Sequence, residues 1–373
     1  MRFRSLVFSG VLAALLALMG VAASLRFLRS YEWWDALALG FALGCLLAVA
    51  LGATREYRRS DGSRKPRWFE LRANVLGFCA LLVLTVWWGA RVPAGMGSGP
   101  AGPAVDLSRF ERPWLRRPVR FVALGDSVST GFGAGKGLGH FDLIIKNNDH
   151  VYPEMRGAEL SRVMPDYSVT RLATNSSNSL EHERVIDSLA QADNEVFGVI
   201  CITTGGIDLI HPYGRKTPKE GAMFGADFAT AQPWIERFET RLGRMMEKLK
   251  AKFPGGCAVF IATIYDPTDG EEDIENAGPS CWLSPWPEGM RSFEGFNAAI
   301  ARTAGKYEHV HLVDVHKVML GHGIHCRDRD NAHYHPDDPT YWYYVNLEDP
   351  NQRGYDAIRR VFLNAIADAL EPR

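Results

Sequence analysis

Five short apolar segments that alternate with longer helical patterns constrain the fold of this chain more than any other feature. The apolar segments span residues 119–125, 167–173, 196–203, 258–265 and 309–315. The helical patterns span residues 152–163, 180–192, 233–252, 289–306 and 351–370. This alternation predicts an α/β fold with a mostly parallel sheet and helices on both faces. Functional side chains of such folds collect at the carboxyl ends of the strands.

Three longer apolar runs, at 6–23, 36–53 and 73–90, precede the α/β region. Each is free of charged residues and has about 18 residues, close to the length that a helix needs to cross ~30 Å of hydrocarbon. Tryptophan pairs at 33–34 and 87–88 stand where interfacial aromatic residues are common. Residues 1–92 are therefore predicted to form a membrane module of three transmembrane helices. A signal peptide cleaved after Ala23 is the alternative for the first run.

The distribution of basic residues predicts the orientation of this module. Seven Lys and Arg residues lie between the second and third runs, whereas the first connection has two basic and two acidic residues. The positive-inside rule places the more basic connection in the cytoplasm. We therefore expect a multi-pass protein of the plasma (inner) membrane, with the lipid bilayer as a partner. Its C-terminal domain is then extracytoplasmic, either periplasmic or extracellular, and cleavage of a signal peptide does not change that side.

The remainder of the chain divides into a linker and a globular domain. Residues 93–116 are rich in Gly and Pro and predict a flexible linker, and residues 117–373 form the second domain. Residues 1–105 carry 12 Lys and Arg against 5 Asp and Glu, whereas the rest carries 30 against 38. Because this acidic domain offers no basic face to phosphates, nucleic acid is excluded as a partner. The sequence leaves the oligomeric state open.

Three motifs follow or precede the expected elements at the catalytic edge of such a sheet. Gly125-Asp-Ser127 follows the first strand, and Thr203-Thr-Gly-Gly-Ile-Asp208 follows the third. Asn346-Leu-Glu-Asp349-Pro-Asn351 stands directly before the last helix. A serine on a tight strand-to-helix turn can expose its hydroxyl while nearby backbone N–H groups face a developing oxyanion.

These motifs, in this order, resemble those of the SGNH (GDSL) hydrolase family over residues 117–370. The resemblance implies a flavodoxin-like doubly wound sheet and hydrolysis of acyl or acetyl esters of carbohydrates or lipids. It places Ser127 at the nucleophile, and Gly205 and Asp208 on the family's Gly-x-Asn-Asp motif. We expect neither a cofactor nor a metal ion.

The chain departs from the family pattern at several positions. Ile207 replaces the asparagine whose side chain donates to the oxyanion, and a backbone N–H of Ser177 is the candidate to join that of Ser127. Asp349 stands in the slot of the catalytic histidine, and Asn346 stands in the slot of its aspartate partner. A carboxylate with a pKa of about 4 is less suited to general-base catalysis near neutral pH than an imidazole.

A histidine-rich loop offers a substitute base. His322, His325, His333 and His335 lie in the long connection after the fifth strand. Because triads are defined by geometry and not by chain order, His325 or His333 is expected to reach Ser127 from this loop. Local hydrogen bonding of these histidines and metal binding are the alternatives.

The sequence thus predicts a membrane-anchored, extracytoplasmic serine esterase that acts on an acyl or acetyl ester of an envelope carbohydrate or lipid. The altered positions favour an alternative, a non-catalytic module of the same fold that binds an envelope polymer or a protein partner. In an oxidising compartment Cys281 and Cys326 can form a disulfide, with unpaired thiols as the alternative.

Overall fold

The computed structural model describes residues 40–45, 75–77, 79–80, 82–84, 86, 99–276, 283–344 and 346–372. The chain divides into two compact units, Met1–Gly97 and Ser98–Arg373. Within the first unit, the described residues are helical. Among the described residues, no helix is both long and apolar enough to span a bilayer. The first apolar run, the basic connection and Cys281 lie outside the described residues.

The second unit consists of five strands and the helices that connect them in the described part of the chain. The strands are β1 (Val119–Gly125), β2 (Tyr167–Arg171), β3 (Phe197–Thr203), β4 (Cys257–Ala262) and β5 (Val310–Val313). The helices are α1 (Ser127–Thr130), α2 (His140–Ile145), α3 (Leu160–Val163), α4 (Ser179–Asp187), α5 (Gly206–Ile210), α6 (Phe228–Lys252), α7 (Gly289–Lys306), α8 (Val315–Met319) and α9 (Gln352–Leu370). Short 3-10 turns occur at Leu107–Phe110, Pro153–Met155 and Ile274–Asn276.

The strands form a parallel sheet in the order β2-β1-β3-β4-β5. This is the flavodoxin-like order, so the predicted α/β architecture is confirmed. The central strands β1, β3 and β4 are buried almost throughout, as expected when helices cover both faces. Gly125 pairs with Thr203, which brings the carboxyl ends of β1 and β3 side by side.

Local capping explains where two of the long helices begin. The side chain of Asp227 accepts a hydrogen bond from the Thr230 N–H, so α6 starts at Phe228, five residues before the predicted start at 233. Pro233 lies inside this helix, where it removes one helical hydrogen bond. The side chain of Asn351 caps α9 by accepting from the N–H groups of Arg353 and Gly354.

The structure differs from the sequence-based expectation in two places. The helix predicted at 152–163 is interrupted at Gly157, which has φ +90°, and only a 3-10 turn and the short α3 remain. The described part of the predicted linker, residues 99–116, is packed against the domain. The Ala101 N–H donates to the Asp356 carboxylate at 3.0 Å, and the rings of Phe110 and Trp114 are buried 5.0 Å apart.

Candidate active site

The turn after β1 holds Ser127 in a fixed position. Gly125 has φ +145°, and a Cβ at this position would lie 2.2 Å from the Thr203 carbonyl oxygen, so only glycine fits. Oδ1 of Asp126 accepts from the Val128 N–H at 3.1 Å and from the Thr203 hydroxyl at 2.8 Å. These bonds cap α1 and join the ends of β1 and β3. Ser127 is therefore the first residue of α1, and its side chain is buried.

Ser127 lines a cavity of about 150 Å³ at the carboxyl ends of β1, β3 and β4. The lining is almost wholly apolar and includes side chains from α5, α7 and the loops: Ile207, Phe224, Ile264, Trp286, Met290 and Phe293. An apolar cavity of about this volume holds a molecule the size of benzene. The space next to the Ser127 hydroxyl is therefore suited to an apolar group and poorly suited to a sugar ring.

Asp349 is the group that the last loop brings to Ser127. Its side chain is buried, and Oδ2 accepts from Asn346 Nδ2 at 2.6 Å. Burial raises the pKa of Asp349 above its ordinary value, while hydrogen bonds from Asn346 and from the Ser127 hydroxyl oppose this rise. Among the described residues, Oδ1 of Asp349 has no partner of ordinary hydrogen-bond geometry. The contact with Ser127 is therefore a loose one, of the kind that tightens when a substrate binds.

Asp126 is a second buried carboxyl group beside Ser127. Burial and, to a smaller extent, the charge of Asp349 raise its pKa to about 7, against the hydrogen bond from Thr203. Two like charges in a site of low dielectric disfavour one another. Deprotonation of one of these carboxyl groups thus makes deprotonation of the other harder.

The structure does not bring His325 or His333 to this cavity, because carboxylates hold their loop elsewhere. Asp269 accepts from the N–H groups of Gly321, Gly323 and His325 at 2.8 to 2.9 Å. The His325 imidazole is 3.0 Å from Asp273 through Nε2, and the His333 ring lies against Gly270. None of the described residues that line the cavity is a histidine.

The other two histidines of the loop are also held locally. The His322 ring stacks on Trp342 at 3.4 Å and on His335 at 4.7 Å. Groups of three or more side chains able to hold a metal ion are absent among the described residues. The sequence-based alternative of local interactions therefore describes this loop.

Three predicted site residues remain, and each helps to fix the backbone around the cavity: Ser177, Gly205 and Asp208. The Ser177 N–H, the expected second oxyanion donor, donates instead to the Thr174 carbonyl at 3.2 Å. Gly205 has φ +100°, and a Cβ there would meet Ile264 at 2.8 Å. Asp208 is buried and accepts from the N–H and the hydroxyl of Ser179 at 2.9 and 2.5 Å. Asp208 therefore fixes the start of α4 to α5.

Sequence reasoning did not single out His182, which lies in the middle of α4. Its buried ring is 2.8 Å from Ser177 Oγ through Nε2 and 2.8 Å from Thr204 Oγ1 through Nδ1. Thr204 lines the cavity, so its hydrogen bond with His182 helps to hold this part of the cavity wall in place. Burial lowers the pKa of His182 to about 4, which keeps the ring neutral near pH 7. No motif marks it, since its partners come from two other segments.

Glu348 was missed as well, although it stands inside the third motif. Its side chain lines the cavity, and burial raises its pKa to about 7. A hydrogen bond from Tyr213 opposes this rise, whereas the charge of Asp349 adds to it. The sequence signal was its position directly before Asp349, which places two carboxyl groups next to each other.

A parallel sheet in this order, with a capped serine on the turn after β1 and a buried carboxyl group supplied by the last loop, fits the class of serine ester hydrolases. Residues 123–343 match the model of the GDSL-like lipase/acylhydrolase family, which covers more than half of the chain. The chain belongs to this family, and its enzyme class is serine esterase. The predicted family is thereby confirmed.

Solved structures of similar proteins include TesA and two esterases, all of low sequence identity. The crystal structure of TesA is 16% identical, covers 68% of this chain and 99% of its own, and has a TM-score of 0.41. The esterase EstA from Pseudoalteromonas sp. is 15% identical over 68% and 99% of the two chains, with a TM-score of 0.39. Axe2, an acetylxylan esterase from Geobacillus stearothermophilus, is 14% identical over 67% and 94%, with a TM-score of 0.38. No curated protein matches the chain.

Proposed function

We propose that this protein is a membrane-anchored, extracytoplasmic esterase that hydrolyses esters of apolar acyl groups, with Ser127 as nucleophile and Asp349 as general base. The observation that carries the proposal is the position of Ser127, between an almost wholly apolar cavity and the buried carboxyl group of Asp349. The acyl group occupies the cavity, and the alcohol part of an envelope carbohydrate or lipid lies outside it.

The reaction follows the two steps of covalent catalysis by serine. Ser127 Oγ attacks the acyl carbonyl carbon, and its proton passes to Asp349. The bond from this carbon to the alcohol oxygen breaks, and the alcohol leaves with the proton from Asp349. A water molecule then attacks the acyl-serine and gives a proton to Asp349. The acid departs, and Ser127 Oγ recovers that proton.

The environment of Asp349 explains how a carboxylate can serve as the base. An ordinary aspartate is a weak base near neutral pH, and burial raises the pKa of Asp349. The higher pKa increases the driving force for taking the serine proton. Asn346 holds Oδ2, which leaves Oδ1 for the exchange of protons with Ser127.

The membrane part of the proposal rests on the sequence. Three charge-free runs of bilayer length precede the α/β domain, and the basic connection at 55–72 supports an extracytoplasmic position for that domain. Reporter fusions test it: a reporter that is active only outside the cytoplasm should be active after Arg373 and silent near Ser63. The reverse pattern would contradict the orientation.

Turnover by the full-length protein in detergent tests the chemistry. We expect hydrolysis of p-nitrophenyl hexanoate by the wild type and loss of at least 10³-fold in kcat for Ser127→Ala. Ser168→Ala, which alters an exposed serine on β2, is the matched control and should keep wild-type activity. Equal activity of Ser127→Ala and the wild type would exclude Ser127 as the nucleophile.

A second candidate function is binding of an acyl-bearing ligand without hydrolysis. It is favoured by one observation, the lack of a histidine among the cavity-lining residues that the structure describes. Tight binding of the hexanoate ester with no turnover between pH 5 and pH 9 would select this function over the esterase.

A further inference from the structure

Among the described residues that line the cavity, no side chain carries an amide or an imidazole that could stabilise the negative charge of acyl transfer. The N–H of Ser127 stands at the first position of α1, where it has no acceptor within the helix. Ile207 lines the cavity with an aliphatic side chain, and the Ser177 N–H is engaged with Thr174. Loss of one oxyanion donor typically costs 10²–10³ in kcat. A second donor is therefore needed for efficient catalysis.

Glu348 is one of the carboxyl groups that line this cavity. Its side chain lines the same cavity as Ser127 and Ile207, and Oε1 is buried without a hydrogen-bond partner among the described residues. The Tyr265 hydroxyl donates to the Glu348 carbonyl oxygen and fixes the backbone. The Tyr213 hydroxyl binds the side-chain carboxyl group. These two bonds leave Oε1 available to a group inside the cavity.

The groups that face Glu348 decide its protonation state. Tyr213 and Arg215 favour the carboxylate, whereas burial and the negative charge of Asp349 favour the neutral acid. His211, which is 2.8 Å from the Tyr213 hydroxyl, has a pKa lowered by burial and adds no charge near neutral pH. Burial makes the charged form of Glu348 costly, so the neutral acid is favoured below about pH 7. The resulting pKa of Glu348 is about 7.

We propose that Glu348, as a neutral carboxylic acid, donates a hydrogen bond to the oxyanion that forms when Ser127 attacks the ester. A carboxylic acid kept neutral by an apolar site can donate in this way. The inference rests on the proposed esterase function and adds a catalytic residue to it. The active form then carries a deprotonated Asp349 and a protonated Glu348 in adjacent positions.

This assignment predicts a bell-shaped dependence of kcat on pH. Activity increases as Asp349 loses its proton, and it decreases above about pH 7 as Glu348 ionises and can no longer donate. Because the two carboxyl groups interact, the two limbs report the pair as a whole. Asp126 also has a pKa of about 7, so the limb at high pH is assigned to Glu348 by its loss in a Glu348 variant that cannot titrate.

Glu348→Gln tests the proposal, since an amide donates a hydrogen bond but does not titrate. In full-length protein with p-nitrophenyl hexanoate, we expect Glu348→Gln to keep at least a tenth of wild-type kcat at pH 6. We also expect it to lose the decrease in kcat above pH 7. Glu348→Ala should reduce kcat by 10²–10³ at pH 6 with little change in KM. Glu308→Gln, at an exposed carboxylate before β5, is the matched control and should keep the wild-type pH profile.

Two outcomes would overturn the proposal. One is a high-pH limb that is the same in Glu348→Gln and in the wild type, and the other is a folded Glu348→Ala variant with wild-type kcat. If Glu348→Ala does not fold, the pH profile of Glu348→Gln alone decides. Either result leaves the esterase function intact as long as Ser127→Ala is inactive, whereas a wild type without turnover overturns both proposals.

Discussion

Replacement of Asp349 by asparagine isolates the contribution of the base. The amide has almost the shape of the carboxyl group and can still pair with Asn346 across the 2.6 Å contact. It cannot take the proton of Ser127. General-base catalysis contributes about 10²–10⁴ in rate, which corresponds to roughly 3–5 kcal/mol of barrier. We expect kcat for Asp349→Asn to fall within this range.

The stability of this variant separates a loss of chemistry from a loss of fold. Burial disfavours the charged form of Asp349, so a neutral amide removes a buried charge and should not lower the melting temperature near pH 8. Kinetic measurements of p-nitrophenyl hexanoate hydrolysis between pH 5 and pH 9 should show that the low-pH limb of the wild type disappears in Asp349→Asn. Asp337→Asn, an exposed position of the preceding loop, serves as the control.

Comparison with the histidine variants can refute this reasoning. We expect His325→Ala and His333→Ala to keep kcat within about threefold of the wild type, because neither residue is among those that line the cavity in the described part of the chain. A folded Asp349→Asn variant with wild-type kcat, together with a 10³-fold loss for one histidine variant, would show that the loop histidine is the base.

Three further outcomes are expected. His182→Ala removes the partner of Ser177 and Thr204, so we expect a loss of about 1–3 kcal/mol in the free energy of unfolding, measured with urea; no change would contradict a supporting role. Met290→Trp fills part of the cavity and should shift the ratio of kcat/KM for hexanoate over acetate esters towards acetate by at least tenfold; an unchanged ratio would place the acyl group elsewhere. Because the pKa of Glu348 is raised to about 7 in the folded protein, protonation of this side chain stabilises the fold. This stabilisation is fully present below about pH 4.5 and is lost as the pH rises through about 7. Glu348→Gln should therefore raise the free energy of unfolding at pH 8, by about 3 kcal/mol at most, and leave it unchanged at pH 4; equal effects at both pH values would contradict the linkage.

The fold and the position of Ser127 could be predicted because their signals are local. The apolar segments, Gly125 and the capping Asp126 specify β1, the turn and α1 within a dozen residues of one another. Gly157 was a local signal too, but the apolar pattern around it predicted a continuous helix. The positive φ of this glycine, which interrupts that helix, is visible only in the structure.

The base and the cavity could not be predicted in the same way. The long loop of four histidines is held by Asp269 and Asp273, more than 45 residues earlier in the chain, and no spacing rule links these segments. The apolar cavity is assembled from the ends of three strands, from α5 and α7 and from the last loop. Burial raises the pKa values of Glu348 and Asp349, and a sequence motif does not encode burial.

Mapping of a fluorophosphonate adduct tests directly whether Ser127 is the nucleophile and Asp349 its base. The full-length protein in detergent is treated with an alkyl fluorophosphonate at pH 7, digested and analysed by mass spectrometry. We expect one adduct, on Ser127, whose formation is prevented by excess hexanoate ester and is slowed at least 10²-fold in Asp349→Asn. An adduct on another residue, or the same rate of labelling in Asp349→Asn, would contradict the assignment of Ser127 and Asp349 as nucleophile and base.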